Sequence, residues 1–301
     1  MTKFRGAFTA IVTPMRGDEI DDPALVDLVE EQIAGGVSGI VPCGTTGEAT
    51  TLSVTEHLHV VRVVAEAARG RVPVIAGAGS NCTREAIELA QACRELGADA
   101  TLQVAPYYIK PTQAGLVAHF TAIADAVDLP MVVYNVPSRC SCDMLAETVA
   151  TLARHRNIVA IKEATGDMTR AARVRELCGP DFSLLSGDDF TLLPFLAVGG
   201  DGVISVTGNL IPQVFSELCR AAREGRWADA RALHELQLPL TRALFTVSNP
   251  IPVKAAMAMR GRCRPDMRLP LQSLDPDSPE GRLVAEALRT TDARIAQGAS
   301  R

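Results

Sequence analysis

Short apolar runs rich in β-branched residues alternate with longer stretches whose apolar positions recur at helical spacing, and this rhythm holds through most of the chain. The runs at residues 7–12, 39–42, 72–76, 100–104, 131–134, 158–162, 182–185 and 202–206 are nearly continuous in apolar side chains, as strands of a parallel sheet covered on both faces require. Their starts lie roughly 20 to 33 residues apart, the span of one strand and one helix with their connections. Eight such units predict an α/β fold, a (β/α)8 TIM barrel. Ser53-Val-Thr-Glu56 reads as a capping box opening a helix that runs to about Arg69, and Gly97 as the C-cap of a helix from about Thr83. The eighth helix is expected to end near Arg223. Beyond it, helical patterns at 227–245, 253–259 and 280–297 are too apolar for a disordered tail. The expected organisation is a barrel carrying the catalytic site over 1–224 and a C-terminal helical subdomain over 225–301, packed on the barrel or on a neighbouring subunit.

Composition sharpens this only in places. A chain of 301 residues that is 47% hydrophobic has ample material for one large core, and a formal net charge of −5 supplies no positive field for nucleic acid or anionic lipid. No nucleic-acid or membrane partner is therefore expected. Residues 1–14 hold only a brief apolar run broken by Thr and Pro, so no secretory signal is read there and a cytoplasmic protein is expected. The eight cysteines are dilute and lack C-x-x-C spacing, which predicts reduced thiols without disulfides or structural zinc.

The basic residues are unequal. Of 30, only four are Lys: Lys3, Lys110, Lys162 and Lys254. Lysine can lose its proton on burial whereas arginine cannot, so each one merits inspection. Lys162 closes the run Asn157-Ile-Val-Ala-Ile-Lys, where strand alternation can point it into the barrel. Desolvation there lowers the amine toward neutrality, and a neutral amine forms Schiff bases with carbonyl compounds. The alternative is a strand-end lysine turned to water or paired with Glu163.

In such barrels the chemistry stands at the C-terminal strand ends. These read Gly44-Thr45-Thr46-Gly47-Glu48, Pro106-Tyr107-Tyr108, Tyr134-Asn135-Val136-Pro137-Ser138-Arg139, Lys162-Glu163-Ala164-Thr165-Gly166 and Gly187-Asp188-Asp189. Thr45 and Thr46 could hold a carboxylate and relay a proton, or merely make a tight turn. Tyr108 and Tyr134 offer phenolic donors or core packing, and the fork of Arg139 suits a second carboxylate. Other motifs fall away. Gly77-Ala-Gly-Ser-Asn-Cys82 has a cysteine at the third glycine of a dinucleotide fingerprint, which argues against a nicotinamide cofactor. His57 and His59 lie two apart on a helix and make a poor metal pair.

Together these segments, from Gly6-Ala-Phe-Thr-Ala-Ile-Val-Thr-Pro14 to the tail helices, resemble the dihydrodipicolinate synthase and N-acetylneuraminate lyase family of pyruvate-dependent class I aldolases. The resemblance, nearer to the synthase branch, implies a lyase of lysine and diaminopimelate biosynthesis. In it Lys162 forms an imine with pyruvate, and the enamine attacks aspartate semialdehyde. It implies a proton relay of Thr45, Tyr134 and Tyr108, the last reaching into a neighbouring subunit. Thr46 would bind the pyruvate carboxylate and Arg139 that of the semialdehyde, with Gly187 and the Ile204 backbone bordering the pocket. No metal or redox cofactor is implied, only the covalent imine, and the assembly implied is a homotetramer built as a dimer of dimers. A candidate allosteric lysine site falls on Ala49, Thr50, His57, Asn81, Glu85 and Tyr107, where Val54 departs from the polar or basic residue of inhibited members; the alternative is an interface patch with no ligand. Two other readings stay open: an aldolase for a different aldehyde or keto-sugar acid, and a non-catalytic keto-acid-binding barrel. Whether Cys140-Ser-Cys142 is packing or an oxidation-sensitive loop is also open.

Overall fold

The computed structural model describes residues 4–298 and contains all eight expected strands. Lys3, the start of the segment read for targeting, and residues 299–301 lie outside the described residues. The strands are β1 (Gly6–Ala10), β2 (Gly39–Val41), β3 (Ile75–Gly77), β4 (Ala100–Val104), β5 (Met131–Asn135), β6 (Ile158–Glu163), β7 (Ser183–Ser186) and β8 (Gly202–Ser205). They pair in parallel in the order β2-β1-β8-β7-β6-β5-β4-β3. A parallel bridge between Ile40 and Val74 joins the two ends, so the sheet closes as a barrel. β3 starts three residues later than the apolar run suggests. Pro73 within that run has no N–H to give the ladder, and its carbonyl instead accepts from Ile40 N at 3.0 Å. A two-residue hairpin, Met15–Arg16 with Glu19–Ile20, follows β1 and is too short to show as a pattern.

The helices α1 (Asp22–Ala34), α2 (Val54–Ala68), α3 (Thr83–Glu95), α4 (Gln113–Ala126), α5 (Ala146–Leu152), α6 (Met168–Cys178), α7 (Leu192–Ala197) and α8 (Pro212–Arg223) alternate with the strands. The capping box of α2 forms as read: Ser53 Oγ accepts from Glu56 N at 3.3 Å and Glu56 Oε2 accepts from Ser53 N at 2.8 Å. Such a cap is worth about 1 kcal/mol. At the N-terminal end of the barrel Phe4 packs edge-on against Phe8, and its N–H donates to Ser183 Oγ at 2.9 Å. With that end plugged, chemistry is left to the opposite end.

After α8, α9 (Trp227–Leu244) lies along α8, and α11 (Pro279–Gly298) packs on α9 and on α10 (Ile251–Met259). The apolar core runs without a break from the barrel strands into Leu240, Leu244, Val253, Met257 and Val284 of these helices. Among the described residues no helix is long and apolar enough to cross a membrane.

One irregularity matters for the site. β5 and β6 pair Met131 with Ile158 but Val132 with Ala160, leaving Val159 as a one-residue bulge. Beyond it Tyr134 stands opposite Lys162. Without the slip Tyr134 would oppose Ile161, and side-chain alternation would set phenol and amine on opposite faces of the sheet.

The closure between β2 and β3 leaves no room at Gly77, where a Cβ would fall 2.0 Å from the carbonyl oxygen of Cys43. Gly77→Ala is expected to cost about 3 kcal/mol by overpacking against backbone. A lowered denaturation midpoint checks this; an unchanged midpoint means that the loop yields freely.

Candidate active site

Lys162 is the last residue but one of β6, with its side chain inside the barrel, 6% exposed, and its Nζ lies 4.4 Å from the centroid of the Tyr134 ring. The amine is not paired with Glu163. That carboxylate faces the other side of the strand, where Asn135 Nδ2 donates to it at 3.1 Å and Thr165 N at 2.8 Å. Burial therefore acts on Lys162 with little to oppose it and lowers its pKa to about 8; the carboxylate of Asp189 pulls the other way, and the Arg139 guanidinium adds a smaller lowering. The lowered pKa makes a neutral, nucleophilic amine far more available at neutral pH than on a solvated lysine. Room for the lysine chain comes from Gly187 at the end of β7, where a Cβ would lie 2.7 Å from Ala164 Cβ and 2.9 Å from Lys162 Cε.

Tyr134 is buried, and burial pushes its phenol up to about 12, with smaller downward pulls from Arg139 and from a hydrogen bond to Thr45. It is thus a hydroxyl at neutral pH, hydrogen-bonded to Thr45, with the Lys162 amine over its ring. Thr45 and Thr46 follow β2. Thr46 is buried, and its Oγ1 accepts from Asn249 Nδ2 at 3.1 Å. Arg139, on a single helical turn after β5, is exposed at the mouth and donates to the Asn249 carbonyl at 3.2 Å. Ile204 is buried on β8 opposite Phe8.

Tyr108 does not join this group within one chain. It is 87% exposed, with a φ of 75° that bulky residues rarely adopt. Ala49, Thr50, Val54, His57, Glu85 and Tyr107 line one cavity of about 530 Å³ together with Thr45, Tyr134 and Arg139. Asn81 is outside that lining but donates to the Tyr107 carbonyl at 3.3 Å. His57 Nε2 is 2.7 Å from the Gly77 carbonyl, which can only accept, and burial holds this imidazole below its ordinary pKa. Glu85 accepts from Ser80 Oγ at 2.8 Å, and Val54 is 63% exposed at the rim. His59 turns instead to Asp22, at 2.8 Å. All eight cysteines are free, and burial pushes the Cys140 thiol up to about 11, which leaves it protonated and a weak nucleophile.

Sequence reading assigned no role to the groups behind the first layer. Asp189 is buried, its Oδ2 accepting from Val206 N at 3.1 Å and Thr207 N at 2.8 Å. From α9, Gln237 Nε2 donates to the Asp189 carbonyl at 3.1 Å, and Thr241 joins Thr207 at 2.9 Å. Lys254 of α10 is fully buried against Glu48. Asp189 and Glu48 stood beside recognised motifs, and Lys254 was one of only four lysines, so the signals existed without a partner to interpret them.

A sequence model described as the dihydrodipicolinate synthetase family matches residues 3–285. The 4-hydroxy-tetrahydrodipicolinate synthase of Nitratidesulfovibrio vulgaris (strain DP4) is 53% identical over 270 residues, covering 89% of this chain and 92% of its own. The 4-hydroxy-tetrahydrodipicolinate synthase structure from Methylacidiphilum fumariolicum SolV superposes with a TM-score of 0.96 at 44% identity, covering 98% of each chain. A pyruvate complex of the chloride-inhibited dihydrodipicolinate synthase from Acinetobacter baumannii does so with a TM-score of 0.93 at 44% identity, covering 96% of this chain and 99% of that one.

Because the amine must be neutral to react, the rate of reductive alkylation at Lys162 should climb about tenfold per pH unit below about 8 and level off above it. Peptide mapping after brief exposure to a small carbonyl compound and cyanoborohydride reads this. A rate still climbing at pH 10 would mean that the amine is solvated.

Proposed function

The chain belongs to the dihydrodipicolinate synthetase family, and we propose that it condenses pyruvate with L-aspartate 4-semialdehyde through a Schiff base on Lys162. The observation that carries this reading is a buried lysine with its pKa lowered to about 8, set by the β5–β6 register beside the Tyr134 phenol. The neutral Nζ attacks the ketone carbon of pyruvate, water leaves, and a protonated imine forms. Loss of a methyl proton gives the enamine, whose carbon attacks the aldehyde. The amine of the added semialdehyde then closes on the imine carbon and expels Lys162. Carbon–carbon bond formation needs no metal or redox cofactor in this scheme, since the iminium is the electron sink.

The remaining roles follow from position. Tyr134 and Thr45 move the proton released and consumed at the imine, and Thr46 donates its hydroxyl to the pyruvate carboxylate. Arg139 keeps N–H groups at the mouth for the carboxylate of the semialdehyde. Gly187 leaves space for the adduct, and the Ile204 backbone lines it. Tyr108 completes the relay from a second copy of the chain: an aromatic held 87% exposed beside Ile109, itself 57% exposed, suits a twofold contact. Two such dimers make the homotetramer. At the same contact, Glu85 with Ala49, Thr50, His57, Asn81 and Tyr107 would take a regulatory lysine, with Val54 weakening its hold.

Borohydride with pyruvate should leave a reduced pyruvyl adduct on Lys162, accompanied by turnover of aspartate semialdehyde. Trapping without turnover would move the reaction to another aldehyde, and absence of an adduct on folded protein would remove the imine altogether. Tyr134→Phe should lower kcat by about a hundredfold or more with the thermal midpoint retained. Arg139→Ala should raise the semialdehyde KM at least about tenfold while the pyruvate trapping rate holds; an equal loss for both substrates would place Arg139 elsewhere in the reaction.

A further inference from the structure

We propose that Lys254, on a helix outside the barrel, is a positioning residue for the pyruvate-carboxylate end of the site, acting through Glu48 on the Thr45-Thr46 turn. The inference rests on the synthase reading above. Lys254 Nζ lies 2.5 Å from Glu48 Oε1, with both side chains shut off from water. The two residues are 206 apart in sequence, so the contact ties α10 to the loop after β2.

Glu48 is a costly choice at its position. Its φ of 57° lies in the left-handed region, which Gly or Asn occupies more easily. Its carboxylate is also desolvated: burial pushes the carboxyl up from its ordinary range, while Lys254 and the backbone N–H of Arg268 draw it down. Charge buried in that backbone needs a matched opposite charge, and Lys254 supplies it.

The loop shows what the pair holds in place. Glu48 N donates to the Thr45 carbonyl at 3.1 Å, and Thr51 N donates to the Glu48 carbonyl at 2.9 Å. On the barrel side, the Thr13 hydroxyl donates to the Gly47 carbonyl at 2.7 Å, and a Cβ at Gly47 would lie 2.9 Å from Cys43 N. The turn is therefore clamped between the segment that follows β1 and the tail helices. From the chain leading into α10, Asn249 donates to Thr46 Oγ1, so the tail reaches this turn twice: at the Thr46 hydroxyl directly by Asn249, and at the Thr45 carbonyl through Glu48 by Lys254. A fastener with no bearing on the reaction could join α10 to the barrel at any point along its length. This one grips two residues beyond Thr46.

The test uses the paired variant Glu48→Gln with Lys254→Met, which removes both charges and nearly keeps the volume, a replacement that buried ion pairs tolerate far better than loss of one partner. Thermal midpoint, steady-state kinetics with both substrates and the rate of borohydride trapping with pyruvate are measured beside the unaltered protein. The expected result is a folded enzyme whose pyruvate KM rises about tenfold and whose trapping slows in step, with the semialdehyde KM changed by no more than about twofold. Lys254→Arg, which keeps both charges and alters only the geometry at Glu48, gives a second protein on which the same split is read if the paired variant does not fold. A folded variant with unaltered pyruvate KM and trapping rate overturns the inference and makes the pair a fastener only. If the unaltered protein itself traps no pyruvate, the synthase reading fails and the inference falls with it; trapping by the unaltered protein alongside an indifferent variant removes the inference alone.

Discussion

An ammonium group inside a closed barrel loses its water, and unless a carboxylate meets it the cheapest response is to lose its proton as well. Much of the molecule sustains that condition at Lys162. The sheet closes on itself through Ile40 and Val74, Phe4 and Phe8 plug one end, and Gly187 leaves just the space the lysine chain fills. Glu163 next along the strand is turned away and engaged by Asn135 and Thr165, so it does not restore the missing counter-charge. What remains is Asp189, close enough to temper the shift and itself occupied by two backbone N–H groups. The balance leaves the amine near pH 8, where it is both obtainable and reactive.

The other buried lysine shows the contrary solution in the same fold. Lys254 is more deeply enclosed than Lys162 and meets a carboxylate at 2.5 Å. One lysine makes no ion pair among the described residues and feels the moderating charge of Asp189, while the other is matched to Glu48, so burial alone does not identify a nucleophile; the partner, or its lack, does. The same comparison explains why a helical tail that supplies none of the strand-end side chains bears on the site: α10 delivers Lys254, the chain before it delivers Asn249, and α9 delivers Gln237 to the back of Asp189.

The barrel was legible because its signals are local. Apolar runs, the Ser53–Glu56 box and the glycine after α3 each announce an element within a few residues, and Lys162 stood out in a chain that uses arginine almost everywhere else. What the pattern hid was pairing. Nothing in Asn157-Ile-Val-Ala-Ile-Lys marks Val159 as the extra residue, since it is as apolar as its neighbours, and the bulge exists only against β5. Glu48 and Lys254 become a pair only once the chain has folded back across the barrel, and Pro73 delays β3 through a missing donor that hydrophobicity does not register. Tyr108 was read, through the family resemblance, as reaching into a neighbouring subunit, and it is 87% exposed in a single chain; an aromatic at a strand end does not by itself announce that.

The bulge at Val159 also shows that the site depends on counting. A regular eight-stranded barrel could acquire a lysine at this height of β6 and a tyrosine at this height of β5 by substitution, yet the two would look out from opposite sides of the wall. For residues at these two positions, the extra residue in β6 is what turns them toward each other. The meeting of phenol and amine is therefore fixed by a count of residues and not by side-chain identity, and removing Val159 would turn the end of β6 inside out while leaving every chemical group of the site in the sequence.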